Sequence, residues 1–138
     1  MILADTGALL ANIDAGDQRH RDVSDFLVRG LRGRQLLVPS VVVAELGPLL
    51  ESRLHPSIEA RFLRSIASGA NIVIDPVAAD YGRAAWFVEK YADFPLGTVD
   101  ALIAAMAERL GVTTIFTLDQ RHFGAIQPAH CERFTLLP

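Results

Sequence analysis

Four acidic side chains in this sequence stand where an ordinary surface role suits them poorly. Asp5 directly follows the apolar run Met1-Ile2-Leu3-Ala4, and Glu45 lies between Val41-Val42-Val43-Ala44 and Leu46. Asp100 opens Ala101-Leu102-Ile103-Ala104-Ala105-Met106-Ala107, which as a helix would be apolar on every side. Asp119 closes Thr117-Leu118-Asp119 after another apolar run. A buried lone carboxylate costs several kcal/mol, so it is paired, protonated or bound to metal. Few cations lie near Asp5, Glu45 or Asp100 in the chain. Carboxylates that converge without a counter-charge raise one another's pKa, and a divalent cation relieves the repulsion. Oxygen-only ligation suits Mg²⁺ or Mn²⁺ over zinc.

Each acid also has a plainer reading. Asp5 can cap a short helix at Ala8. Glu45 can be an exposed helix residue. Asp100 falls in the first turn after a Thr98 cap, where the helix dipole favours any acid. Asp119 can form a turn and pair with Arg121. The metal reading requires that the fold bring all four together.

The elements that would do so are legible from periodicity and breakers. Met1–Ala4 reads as a buried strand and Ala8–Ile13 as a short helix. Arg19–Leu31 has a helical period through Val23, Phe26, Leu27 and Leu31, with Gly33 as its stop. Leu36–Val38 is a second strand. Ser40 is a candidate N-cap for a helix to about Leu54, which Gly47-Pro48 should kink or split. Pro56–Ala67 reads as a helix opening on proline, and Asn71–Ile74 as a third strand. Val77–Tyr91 is a helix with Tyr81, Ala84, Ala85 and Val88 on one side. Thr98–Leu110 is a helix closed by Gly111. Thr113–Thr117 is a fourth strand, Arg121–Ile126 one irregular turn, and Phe134–Leu136 a short last strand. Strands alternating with helices predict an α/β domain, a mainly parallel sheet of four to five strands covered on both faces. Sites in such sheets form beyond the carboxyl ends of strands, where strand order reverses.

Composition narrows the classes. The 138 residues fit one domain, 51% are hydrophobic, and the net charge is −3, which excludes a disordered chain and a bulk-charge nucleic-acid binder. No uncharged run approaches the roughly 18 apolar residues of a membrane span, and no signal peptide is visible. The single cysteine, Cys131, excludes an internal disulfide or a Cys-based zinc site. No H-E-x-x-H, G-x-S-x-G, P-loop or G-x-G-x-x-G pattern occurs. A phosphotransfer domain would share the layout and the Mg²⁺, but it would want a lysine near the site. The one lysine, Lys90, falls late in a helix. A non-enzymatic interaction module would keep the fold without needing four acids.

Four segments together resemble a known family: Ile2–Leu9, Val38–Leu46, Tyr91–Ala105 and Thr117–Phe123. The chain resembles the PIN-domain ribonucleases, and among them the toxins of VapBC toxin–antitoxin pairs. The likeness runs over nearly all of residues 1–138, as a single PIN domain. It implies a three-layer PIN-like fold and a Mg²⁺-dependent endoribonuclease, with Mn²⁺ able to substitute, that leaves 5′-phosphate and 3′-hydroxyl ends. The family's acidic quartet carries over to Asp5, Glu45, Asp100 and Asp119, as catalytic residues and metal ligands. Thr6 and Thr117 match its hydroxyl positions, and Asp93 matches an acid at the rim or in the surrounding shell. The resemblance further implies an antitoxin, a small DNA-binding protein whose tail wraps the toxin and blocks the acidic pocket. It also implies a homodimer, and a cytoplasmic place of action with no membrane partner.

RNA held near an acidic site needs positive charge beside it. Arg121 and His122 directly follow Asp119 and are placed for that contact. Arg19, Arg21, Arg29, Arg32 and Arg34 crowd another region, opposed by Asp17, Asp22 and Asp25. Trp86, Tyr81, Tyr91 and Phe87 read as core or interface residues rather than a platform for bases.

Overall fold

The computed structural model describes residues 1–138. Its strands are β1 (Ile2–Ala4), β2 (Leu36–Pro39), β3 (Ile72–Ile74), β4 (Thr114–Phe116) and β5 (Thr135–Leu137). They form one sheet in the order β3-β2-β1-β4-β5, every neighbouring pair parallel. Parallel neighbours require crossover connections, and seven helices supply them. These are α1 (Thr6–Ile13), α2 (His20–Arg29), α3 (Ser40–Arg53), α4 (Pro56–Ala67), α5 (Ala78–Lys90), α6 (Thr98–Leu110) and α7 (Gln120–Ala125). The helices α1 to α4 contact one another and α5 to α7 contact one another, so the sheet separates two helical layers. This is the expected three-layer α/β arrangement, with five strands.

A strand covered on both faces carries apolar residues without alternation. In β1, Ile2, Leu3 and Ala4 are all fully buried, and Leu3 pairs with Leu37 on one side and Ile115 on the other. Each such Leu or Ile contributes about 1.5–3 kcal/mol by leaving water. Phe26 of α2 stacks on Phe116 of β4 at 5.4 Å between ring centroids. Helix α6 is buried at every residue from Ala101 to Ala107. Its small alanines let neighbours approach closely, and Gly111 ends it in the left-handed conformation at φ 65°.

From β1 the chain adds β2 and then β3 on one side, then crosses to add β4 and β5 on the other. The order therefore reverses between β1 and β4. Asp5 leaves the end of β1, and Asp119 follows β4 by three residues.

Several local expectations change. Asp5 caps α1, but the helix opens at Thr6 rather than Ala8. Helix α2 stops at Arg29 rather than Leu31, because Arg32 and Gly33 take positive φ in the following turn. Helix α3 runs through Pro48 as one unbroken helix. Gly47, lacking a Cβ, removes part of the clash that a proline ring imposes on the residue before it. The N-caps of α3 and α6 are Pro39 and Gly97, one residue ahead of Ser40 and Thr98. Residues 120–125 form a helix rather than an irregular turn. On α5, Ala84 and Phe87 are buried, but Tyr81 and Val88 stay exposed beside a groove against α6. No helix is long and apolar enough to cross a membrane.

Candidate active site

A cavity of about 630 Å³ opens at the strand reversal, lined by Asp5, Thr6, Glu45, Asp100, Asp119 and Arg121 among others. The fold thus unites the four acids that the sequence singles out. They come from four different places: the ends of β1 and β4, the middle of α3, and the first turn of α6.

Hydroxyls, backbone amides and one imidazole, rather than arginine or lysine, hold three of them. Asp5 Oδ1 accepts from the Thr6 backbone N–H at 2.6 Å, which is the N-cap bond of α1. Its other oxygen, Oδ2, accepts from Thr117 Oγ1 at 2.7 Å. Thr117 is fully buried, and its hydroxyl also accepts from the Asp119 backbone N–H at 2.8 Å. One threonine thereby ties the first acid to the last. Thr6 Oγ1 donates to Glu45 Oε2 in a short hydrogen bond. Asp119 caps α7 through the His122 backbone N–H at 2.8 Å, and His122 Nδ1 donates to its second oxygen at 2.6 Å. The plainer reading of Asp5 as a cap is therefore also true, and Asp119, read as a turn former, proves to be a cap as well. In each, a cap bond occupies one oxygen and aims the carboxyl toward the cavity.

Asp100 differs from the other three. It is half-buried, stands at the N-terminal turn of α6, and makes no hydrogen bond or ion pair to a side chain. Burial raises its pKa to about 6, and Asp5, Asp119 and Glu45 add to the rise while His122 opposes it. Burial also raises Asp5 above the usual carboxylate value, against the pull of its bonds from Thr117 and Thr6. At Asp119 burial pushes upward too, but the hydrogen bonds from His122 outweigh it and the pKa falls. No arginine or lysine pairs with any of the four.

Converging carboxylates, one without a partner and reluctant to ionise, fit a hard divalent cation in place of the missing counter-charge. One ligand atom each from Asp100, Asp119 and His122 lies within 4.8 Å of the others. The imidazole is an addition that sequence reading assigned to RNA contact. Its signal was the His three residues after a capping Asp.

Asp93 is not brought in. It lies exposed on the turn before α6, outside the cavity lining, with no hydrogen bond to the acids. The cluster from Arg19 to Arg34 also stays away from the cavity and makes surface contacts such as Arg19–Asp22 at 3.2 Å and Arg29–Asp25 at 3.9 Å. Asp119 pairs with His122 rather than Arg121. Phe94, unnoticed in the sequence, carries Arg121 against its ring.

The sequence profile of the family described as PIN domain matches residues 2–127. The chain is also 39% identical over 137 residues to Ribonuclease VapC26 of Mycobacterium tuberculosis, covering 99% of this chain and 100% of that protein. The chain belongs to the VapC branch of the PIN-domain family. This PIN domain shares its fold with the crystal structure of Mycobacterium tuberculosis VapC20, a sarcin-ricin loop cleaving toxin. The TM-score is 0.83 at 20% identity, over 96% of this chain and 99% of that one. It also superposes on DNA-bound VapBC from Salmonella typhimurium, with a TM-score of 0.71 at 21% identity, over 99% and 98% of the two chains.

Proposed function

We propose that residues 1–138 act as a single PIN domain, the toxin of a toxin–antitoxin pair. Its activity is Mg²⁺-dependent endoribonuclease hydrolysis, with Mn²⁺ able to substitute. The observation that carries this is the set of four carboxylates at the strand reversal with no arginine or lysine paired to them. Its relatedness to a VapC ribonuclease supports the choice of RNA phosphodiesters.

Asp5, Asp100, Asp119 and Glu45 would hold the metal, which when bound supplies a more acidic water and relief of phosphate charge. Thr6 fixes Glu45 through Oε2, leaving Oε1 to orient the attacking water. Thr117 fixes Asp5, and His122 fixes Asp119, so these carboxylates do not have to be ordered when substrate arrives. Attack at phosphorus with departure of the 3′ oxygen leaves 5′-phosphate and 3′-hydroxyl ends. Arg121, exposed on the cavity lining, and His122 next to it in α7 would meet the RNA. The acid-lined opening also suits an arginine from an antitoxin tail, which would supply the missing counter-charge and exclude metal. A second copy of the chain would use the exposed apolar edge of α5 around Tyr81 and Val88. RNA as substrate places the action in the cytoplasm.

Purified protein free of antitoxin, incubated with labelled structured RNAs and Mg²⁺ or Mn²⁺, should cut at discrete sites. Cleavage should vanish with EDTA and in Asp100→Asn. Cleavage that survives both controls would refute the metal site. Metal binding by folded protein that cuts no RNA would favour an interaction module on the same scaffold.

A further inference from the structure

We propose that Phe94 and Arg121 form a stacking platform for one RNA base beside the acidic cavity, with Arg121 touching the base and Phe94 positioning Arg121. The inference rests on the ribonuclease reading and deepens it.

Arg121 is exposed, lines the cavity, and forms no ion pair with any of its four acids. Instead its Cζ lies over the Phe94 ring, 4.7 Å from the centroid. Phe94 is half-buried on the turn between α5 and α6, and its ring lies 5.0 Å from that of His122 at a 48° tilt. His122 is in turn fixed by Asp119. The aromatic ring is thus braced from α7 while it holds a guanidinium of the same helix. A flexible arginine at this place would be drawn into the carboxylates and would compete with metal. Held on the ring by cation–π attraction, it leaves them free.

The arrangement also offers a surface. A guanidinium lying against an aromatic ring keeps its outer face and its N–H donors open. Unstacked RNA bases lie on aromatic rings and on arginine planes, and such stacking tolerates many sequences because every base has a π face. A phosphate clamp would need the fork of donors but no aromatic backing. The backing ring is the feature that favours a base, next to the nucleotide whose phosphate enters the cavity.

The test begins by mapping the cut made by the unmodified protein and synthesising a fluorescent RNA hairpin that spans it. Binding is then measured by anisotropy in the Asp100→Asn protein, which holds the RNA uncut, with the intact hairpin and with single abasic positions flanking the cut. Adding Phe94→Leu should weaken binding of the intact hairpin roughly tenfold or more, and Phe94→Tyr should restore it. On one of the abasic hairpins, Phe94→Leu should make no further difference. In the active protein, Phe94→Leu should raise KM and spare kcat. Equal weakening on every hairpin would reduce Phe94 to a loop support or Arg121 to a phosphate contact, and so overturn the platform. So would unchanged binding of the intact hairpin. If folded protein cuts no RNA, the ribonuclease reading fails and the platform with it. Cutting that is indifferent to Phe94 removes the platform alone.

Discussion

Helix α6 carries an acid near each end, and the two live in opposite surroundings. Asp100 in its first turn has no side-chain partner and a pKa raised by burial to about 6. Glu108 near its other end is gripped by Arg83 through Nε at 2.6 Å and Nη2 at 2.9 Å. It also accepts from the Ala129 backbone N–H at 2.6 Å. Burial pushes Glu108 upward, yet these bonds outweigh it and its pKa falls. Asp80 completes the pattern. It is 2% exposed, accepts from Arg109 Nε at 2.9 and 3.0 Å, and from the Val77 backbone N–H at 2.8 Å. The fold therefore pairs arginine with each carboxylate that joins α5 to α6, and leaves Arg121 unpaired with the acids at the strand reversal. A structural acid carries its partner with it, and an acid without one marks the place where a partner must come from outside.

The sharpest way to break the comparison is to neutralise one acid of each kind. Asp100→Asn should lower kcat roughly a thousandfold or more, since metal-borne charge stabilisation is worth several kcal/mol. Its thermal midpoint should equal or exceed that of the unmodified protein. A fall in stability would mean that Asp100 is structural after all.

On the other side, Arg109→Ala leaves the buried Asp80 without its cation. Removing one partner of a buried pair costs about 3–5 kcal/mol. The partial exposure of Arg109 brings this to about 2–3 kcal/mol, read as a shift in urea midpoint. Activity measured below the transition should hardly change.

Thr117→Val joins the two themes, because it removes the hydroxyl that holds Asp5 and receives Asp119. Metal affinity should fall about 10–100-fold, as for other groups that orient ligands. Calorimetric titration with Mn²⁺ would read this directly. Undiminished affinity would show that the carboxylates orient themselves.

The smallest effect is in pH. The folded-state pKa of Asp100, about 6, lies above its ordinary 3.8. The fold therefore favours the protonated form, and this contribution is present below about pH 4 and lost as pH rises through about 6. In EDTA, the stability of Asp100→Asn should gain on the unmodified protein across that window, by on the order of 1–2 kcal/mol after solvent screening. A difference that is flat with pH would remove the unpartnered-acid account.

The sequence carried the layout well because its signals were local. Apolar runs without alternation marked covered strands, and Gly111 marked the end of α6. The four acids were visible because each interrupts an apolar stretch. What stayed hidden depends on distance along the chain. Arg83 and Arg109 meet acids 25 and 29 residues away, and no local rule links them. Phe94 and Arg121 meet only because α7 folds as a helix against the turn before α6. Asp93 was drawn in by its place in a matching segment, yet the turn leaves it facing solvent.

The bridge through Thr117 has a consequence for timing. Asp5 leaves the ribosome well ahead of the hydroxyl that fixes it, which is 112 residues behind. At about 5–20 residues per second, that is roughly 6–20 seconds of synthesis. Until then β1 has no β4 beside it and Asp5 has neither its threonine nor Asp119. A chain broken off before that point holds Asp5 without the hydroxyl that fixes it, so the acidic cavity is completed only after β4 and Asp119 have been made.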